Sequence, residues 1–313
     1  MIHKKILSYF LILFFMFLAN SSIAKKTSKI IIKINNEIVT NSDILNEKKY
    51  LLLINQDLKN IEDNKLNSIA KNSLIREKIK FLELQKFYDF TKDSQYVEKI
   101  YEEFYLKLKI NNRAEFEKLL IDINFTPKEI KTKLEIETLW NELIFTKYKD
   151  KIEINNKKLK ERLKIDLKKS KFKKSYDLSE IVFTSISKKE LSRNYKIIVD
   201  SINEISFKNT ANIYSVSDSS KFGGSIGWVG ENQLSKIIQN ELKKIDEGQF
   251  TKPIGVPNGF LLLKINKIKS EEIRLSLEEE LEKLIVYEKN RQLNQFSSIY
   301  FKKVKNNTKL DEY

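Results

Sequence analysis

The side chains that usually carry chemistry are scarce in this sequence. Among 313 residues there is no cysteine, and the single histidine, His3, stands at the very start. Zinc sites draw on Cys and His, and the common pairings of nucleophile with base need an imidazole or a thiolate. Any form of the chain without its first residues therefore loses those reaction classes together. Carboxylate-only and Mg²⁺ sites survive the exclusion, but no set of metal ligands stands out, and neither cofactor nor metal is expected. What the chain has in quantity is apolar and aromatic surface, including 19 Phe and 13 Tyr. Side chains of that kind recognise polypeptide. Without disulfides, stability has to come from burial.

The first residues read as an export signal. Lys4 and Lys5 precede an apolar run from Ile6 to Ala19, and Ser22-Ile23-Ala24 supplies small residues for cleavage. The run is shorter than the roughly 20 residues that span a bilayer, and no cysteine follows to take a lipid. Cleavage after Ala24 is the expectation, with a periplasmic location for the product. An uncleaved anchor is the rival, and it would be the chain's only link to a membrane. About 290 residues remain after residue 24, room for two domains. The net charge of +15 drops by two with Lys4 and Lys5. The remaining lysines are spread along helical stretches and are not interleaved with aromatics, so nucleic acid is not an expected partner.

All seven glycines lie between Gly223 and Gly259, and Pro253 and Pro257 fall in the same window. Outside it, a glycine-free sequence rich in Lys, Glu, Leu and Ile predicts helices; inside it, the backbone must turn repeatedly. Alternation of Ile30, Ile32 and Ile34 and the turn at Asn35-Asn36 predict a short hairpin ending near Val39. Helices follow to about Asn55, from about Asn64 to Phe90, and over Ser94 to Ile110, where Val97, Ile100, Tyr101, Phe104 and Leu108 share a face. That aromatic face is either core or a surface for binding clients, with Tyr101 and Phe104 as the candidate contacts. Thr126-Pro127-Lys128-Glu129 is a capping box with proline at the first helical position. A charged helix from about Asn156 to Lys169 leads to a strand at Tyr176 to Phe183, then helices, the glycine-rich window, a helix at Leu234 to Leu242 and a strand at Phe260 to Ile268. Leu277, Leu281, Leu284, Ile285, Phe296 and Tyr300 define a long terminal helix with one apolar face. Such a helix needs a partner, and the helical first half is the one available.

The run from Tyr214 to Trp228, with Asp218 ahead of Gly223-Gly224, resembles the signature of parvulin-type peptidyl-prolyl isomerases. So do Gly248 to Ile254 and Asn258 to Ile265, in the order and spacing of that family. The segment from Ile31 to Asp43 is similar to the opening of the SurA family of periplasmic chaperones. Together these resemblances imply an α+β chain. Residues 25–170 form a SurA-like helical domain, residues 175–269 one parvulin-like domain with a small antiparallel sheet among helices, and residues 270–313 a C-terminal helix packed back on the helical part.

The resemblance also implies what is missing. Parvulins place a histidine on the first strand and another on the last, and this sequence has Glu180 and Leu261 there, so no catalytic residue is assigned. The polar position before the Gly-Gly turn falls near Val216, and the family threonine before the last strand is Val256. Ile226, Leu234 and Ile238 match the apolar proline pocket, with ordinary core as the competing reading, and Phe222 and Phe260 flank them as further candidate contacts. Rotation about a prolyl bond needs no proton transfer, but the preorganised polar groups that normally lower the barrier are gone. The implied function is a chaperone for unfolded exported polypeptides, including outer-membrane β-barrel precursors, whose isomerase activity is weak or lost. The alternative is a working isomerase assisting exported proteins.

Overall fold

The computed structural model describes residues 28–90, 95–169, 172–257, 259–272 and 276–313. The signal reading of residues 1–24 lies outside them. The fold is α+β, as expected. No helix among the described residues is long and apolar enough to cross a membrane.

The hairpin forms as the alternation predicts. Strands β1 (Ile30–Ile34) and β2 (Glu37–Thr40) turn at Asn35, whose φ of 51° is a left-handed conformation that Asn tolerates. Thr40 and Asp43 build a capping box, so strand β2 passes directly into helix α1 (Asn41–Ile54). Helix α2 (Asp63–Leu84) lays Leu74, Ile75 and Ile79 against Ile32, Ile34 and Val39 of the hairpin. It stops at Leu84, short of the expected Phe90.

Helix α3 (Gln95–Lys107) buries its aromatic stripe, as the core reading had it. Tyr101, Tyr105, Phe116, Leu120, Phe125 and Ile130 form one cluster, completed by a helix the sequence did not announce, α4 (Arg113–Asp122). The box at Thr126 and Glu129 opens helix α5 (Pro127–Tyr148), whose Leu139, Trp140 and Leu143 are buried. Helix α6 (Asn156–Lys169) then leads to the sheet.

Strand β3 (Phe172–Phe183), helices α7 (Lys188–Ile205) and α8 (Phe207–Tyr214), β4 (Ser225–Gly230), α9 (Lys236–Leu242), β5 (Ile254–Val256) and β6 (Gly259–Glu272) follow. The four strands form an antiparallel sheet in the order β4-β3-β6-β5. Helix α10 (Leu277–Asn306) starts at a Ser276/Glu279 capping box and returns to the helical body. There Tyr300 joins the core of Trp140, Phe296 stacks on Tyr148 with ring centroids 4.6 Å apart, and Trp140 Nε1 donates to Ser297 Oγ at 2.9 Å. A last strand, β7 (Leu310–Glu312), pairs with β1, giving the order β2-β1-β7. The helical body is thus built from both ends of the chain, and the four-stranded unit is inserted between them.

Candidate functional site

Strand alternation gives the inserted sheet two faces. Tyr176, Leu178 and Val182 of β3 share one face with Leu261, Leu263 and Ile265 of β6, in a core that also holds Leu234. Ile181 and Phe183 point the other way with Leu262, onto Ile198, Phe207 and Ala211 of the two helices behind the sheet. Glu180 lies between Leu178 and Val182 on the first face. The β3/β6 register pairs Glu180 with Leu263 and Val182 with Leu261, so Glu180 and Leu261 are diagonal neighbours across adjacent strands.

The loop before β4 is pinned to β3 at Glu180. Gly224 has φ of 75°, and a Cβ there would stand 2.1 Å from the carbonyl oxygen of Glu180. This close approach lets Glu180 N donate to Gly224 O at 2.7 Å. The Glu180 carboxylate accepts from Ser217 Oγ at 2.5 Å and Ser219 Oγ at 2.9 Å. Burial pushes this carboxyl upward, more than the two serine hydrogen bonds pull it down. Among the described residues its partners are hydroxyls, and it serves to hold the loop.

Asp218, between those two serines, turns to the helical body. Its carboxylate lies 3.0 Å from Lys80 Nζ and 3.8 Å from the Arg76 guanidinium of α2, and accepts from Ser297 Oγ of α10 at 3.2 Å. Lys80, only 1% exposed, also reaches Glu137 of α5 at 2.7 Å, and Lys221 pairs with the same Glu137. Arg76 donates to the carbonyls of Ser215 and Ser217, at 3.2 and 2.8 Å. Desolvation opposes ionisation of Asp218 and Glu137, but the surrounding cations outweigh it and hold both carboxyls below their usual range. Desolvation likewise weighs against a charged Lys80, and its two carboxylates overcome it.

The face that carries Glu180 and Leu261 is covered. Tyr287 of α10 packs against its apolar core, and burial, assisted by nearby Glu180, pushes the Tyr287 hydroxyl up to about 12. Arg162 of α6 donates to the carbonyl of Leu234 at 2.5 Å. The expected contact residues therefore separate. Leu234, 3% exposed, is core, because it lies under this cover, and Ile238 packs at its edge. Phe260 joins the opposite face beside Phe183, with centroids 5.9 Å apart. Ile226 stands exposed at the β3/β4 register shift, and Phe222 is exposed on its turn. Tyr101, 1% exposed, is interior, with Phe104 packed against the same aromatic cluster. Tyr101 and Leu234 are thus not surface contacts: each fills space between elements. The residues that sequence reasoning missed are Lys80, Glu137, Arg162 and Tyr287. Lys80 and Asp218 are 138 positions apart, and no local pattern marks such a pairing.

An open cleft of about 840 Å³ lies elsewhere, between the helical body and the inserted unit. Its floor includes Leu51, Ile69 and Ile75, all buried. One wall is the end of α8 with the segment that follows, and another is the last turns of α10.

Residues 178–267 match the family model described as Rotamase, the PPIC-type PPIASE domain. The inserted unit is a PPIC-type domain. Its match covers less than a third of the chain, and no curated protein sequence matches. Solved structures similar to the chain include the following three. A PpiC-type peptidyl-prolyl cis-trans isomerase domain is 22% identical, with 33% of this chain and 96% of that chain covered and a TM-score of 0.29. A SurA-like chaperone of Campylobacter jejuni is 16% identical, with coverage of 91% and 98% and a TM-score of 0.39. PrsA from Bacillus subtilis is 18% identical, with coverage of 89% and 92% and a TM-score of 0.29. Within the PPIC-type domain, no cluster of His, Cys, Asp and Glu suited to a metal ion occurs among the described residues.

Proposed function

We propose that this chain is a chaperone that holds non-native polypeptides, with its PPIC-type domain acting as a wall of the binding site more than as an isomerase. One observation carries the reading. The face that carries Glu180 and Leu261, where the resemblance implies histidines, is packed against Tyr287 of α10, whereas a large cleft stays open elsewhere, between the domain and the helical body. An unfolded client offers apolar side chains and unpaired backbone groups, and a cleft with apolar walls and polar rims can shield both. The resemblance of the segment from Ile31 to Asp43 to the SurA family supports the same reading. It also suggests the clients: outer-membrane β-barrel precursors, met in the periplasm after the signal at residues 1–24 has directed export.

The test uses the chain without residues 1–24. A denatured barrel protein diluted into buffer aggregates, and light scattering should fall when this chain is present at equal concentration. Unchanged scattering across several non-native clients would remove the proposal. A second reading, a working isomerase, rests on the PPIC-type match. It requires that catalytic amounts of the chain accelerate a proline-limited refolding reaction, and the covered face leads us to expect no acceleration.

A further inference from the structure

The cleft between the helical body and the PPIC-type domain has an uneven charge. Arg76, Lys221, Lys302 and Lys305 line it, and among the described residues no Asp or Glu does. Two of these cations are already engaged, Arg76 with the carbonyls of Ser215 and Ser217 and Lys221 with Glu137. Lys302 and Lys305 have no carboxylate partner among the described residues, and they stand one turn apart on α10. Ile299 lies one turn before Lys302 on the same helix and is 47% exposed. Across from it, Tyr214 and Val216 are 36% and 38% exposed. Large apolar side chains thus face each other across the cleft, with two unengaged ammonium groups at one wall.

We propose that this cleft takes extended segments in which a carboxylate lies within a few residues of bulky apolar side chains. Lys302 and Lys305 face the carboxylate, and Tyr214, Val216 and Ile299 take the apolar groups. Charge complementarity selects this occupant: a lysine-rich segment meets repulsion here, and a neutral apolar one leaves the ammonium groups unused. The inference rests on the holdase reading and adds which segments are preferred.

The experiment measures fluorescence anisotropy of labelled short peptides built on Phe and Leu, in versions carrying paired Glu, Gln or Lys. The Glu version should bind the chain lacking residues 1–24 about fivefold more tightly than the Gln version, and high salt should erase the difference. In K302E/K305E the order should reverse in favour of the Lys version, with the Gln version unchanged. K302Q/K305Q, a milder change, should abolish the preference without reversing it, and both variants should melt with the parent. Equal binding of the Glu and Gln versions by the parent would overturn the charge preference and leave the holdase reading standing. A preference that survives in both variants would overturn the assignment to Lys302 and Lys305. Failure to bind any version, joined to failure in the scattering assay, would remove the holdase reading itself.

Discussion

The resemblance to parvulins puts Glu180 where a histidine is expected, and the surroundings of Glu180 explain what this residue does. One carboxylate oxygen accepts from both Ser217 and Ser219, tying the loop before β4 to the sheet. Its carboxyl is raised by burial, so the native state keeps a proton that the unfolded chain has already released. Stability therefore falls as pH rises through that interval, and the cost persists above it. Glu180→Gln keeps an oxygen for both serines and removes the buried charge. Thermal melts should show a gain of roughly 2 °C at pH 7.5 that closes as pH falls toward about 4; an equal gain at both ends would contradict this origin. Asp218 and Glu137 run the opposite way, with carboxyls held low by cations. Their contribution is present above the ordinary carboxylate range and is lost only in acid, so docking of the two domains should be flat between about pH 5 and 8. Lys80→Met leaves both carboxylates short of a cation. Since their side chains are 33% and 46% exposed, the expected loss is about 2 kcal/mol by denaturant unfolding, below the usual figure for a fully buried pair.

Helix starts were the most legible elements. At Thr126 the hydroxyl accepts from Glu129 N at 3.2 Å and Glu129 returns to Thr126 N at 2.7 Å, as the four-residue motif implied. Thr126→Ala should cost about 1 kcal/mol, measured as a shift in denaturant midpoint with unchanged slope. The hairpin, the helix periods and the glycine window were legible for the same reason: each is written within a few consecutive residues. What could not be read depends on distant partners. Helix α4 offers only Phe116 and Leu120 as buried positions, too few to show a period. Strand β7 is three residues long and exists only because β1 has an open edge beside it. At the candidate site, the absence of any histidine beyond His3 was plain in the sequence. The contacts of Tyr287 and Arg162 with the domain were not, because both come from helices outside it. Likewise Leu234 carries the same apolar signal whether it lines an open pocket or fills a core, and only its neighbours decide.

At the scale of the molecule, the PPIC-type domain is held by three helices of the body through Asp218, Glu137 and Tyr287. Placing histidine at both positions, as E180H/L261H, should give no measurable acceleration of proline-limited refolding in the chain lacking residues 1–24, because the face stays covered. Acceleration would mean that substrates reach it. The pairing of β7 with β1 has a different reach. Lys309 N donates to Asn35 Oδ1 across 274 positions, and Tyr313 N donates to Ile31 O. A ribosome emitting this polypeptide delivers the first strand of that little sheet long before the last. The four strands of the inserted domain pair with one another and can assemble while synthesis is still under way, whereas the small sheet of the body must wait for Leu310–Glu312. A protein that we read as a guardian of unfinished chains therefore spends most of its own birth as one.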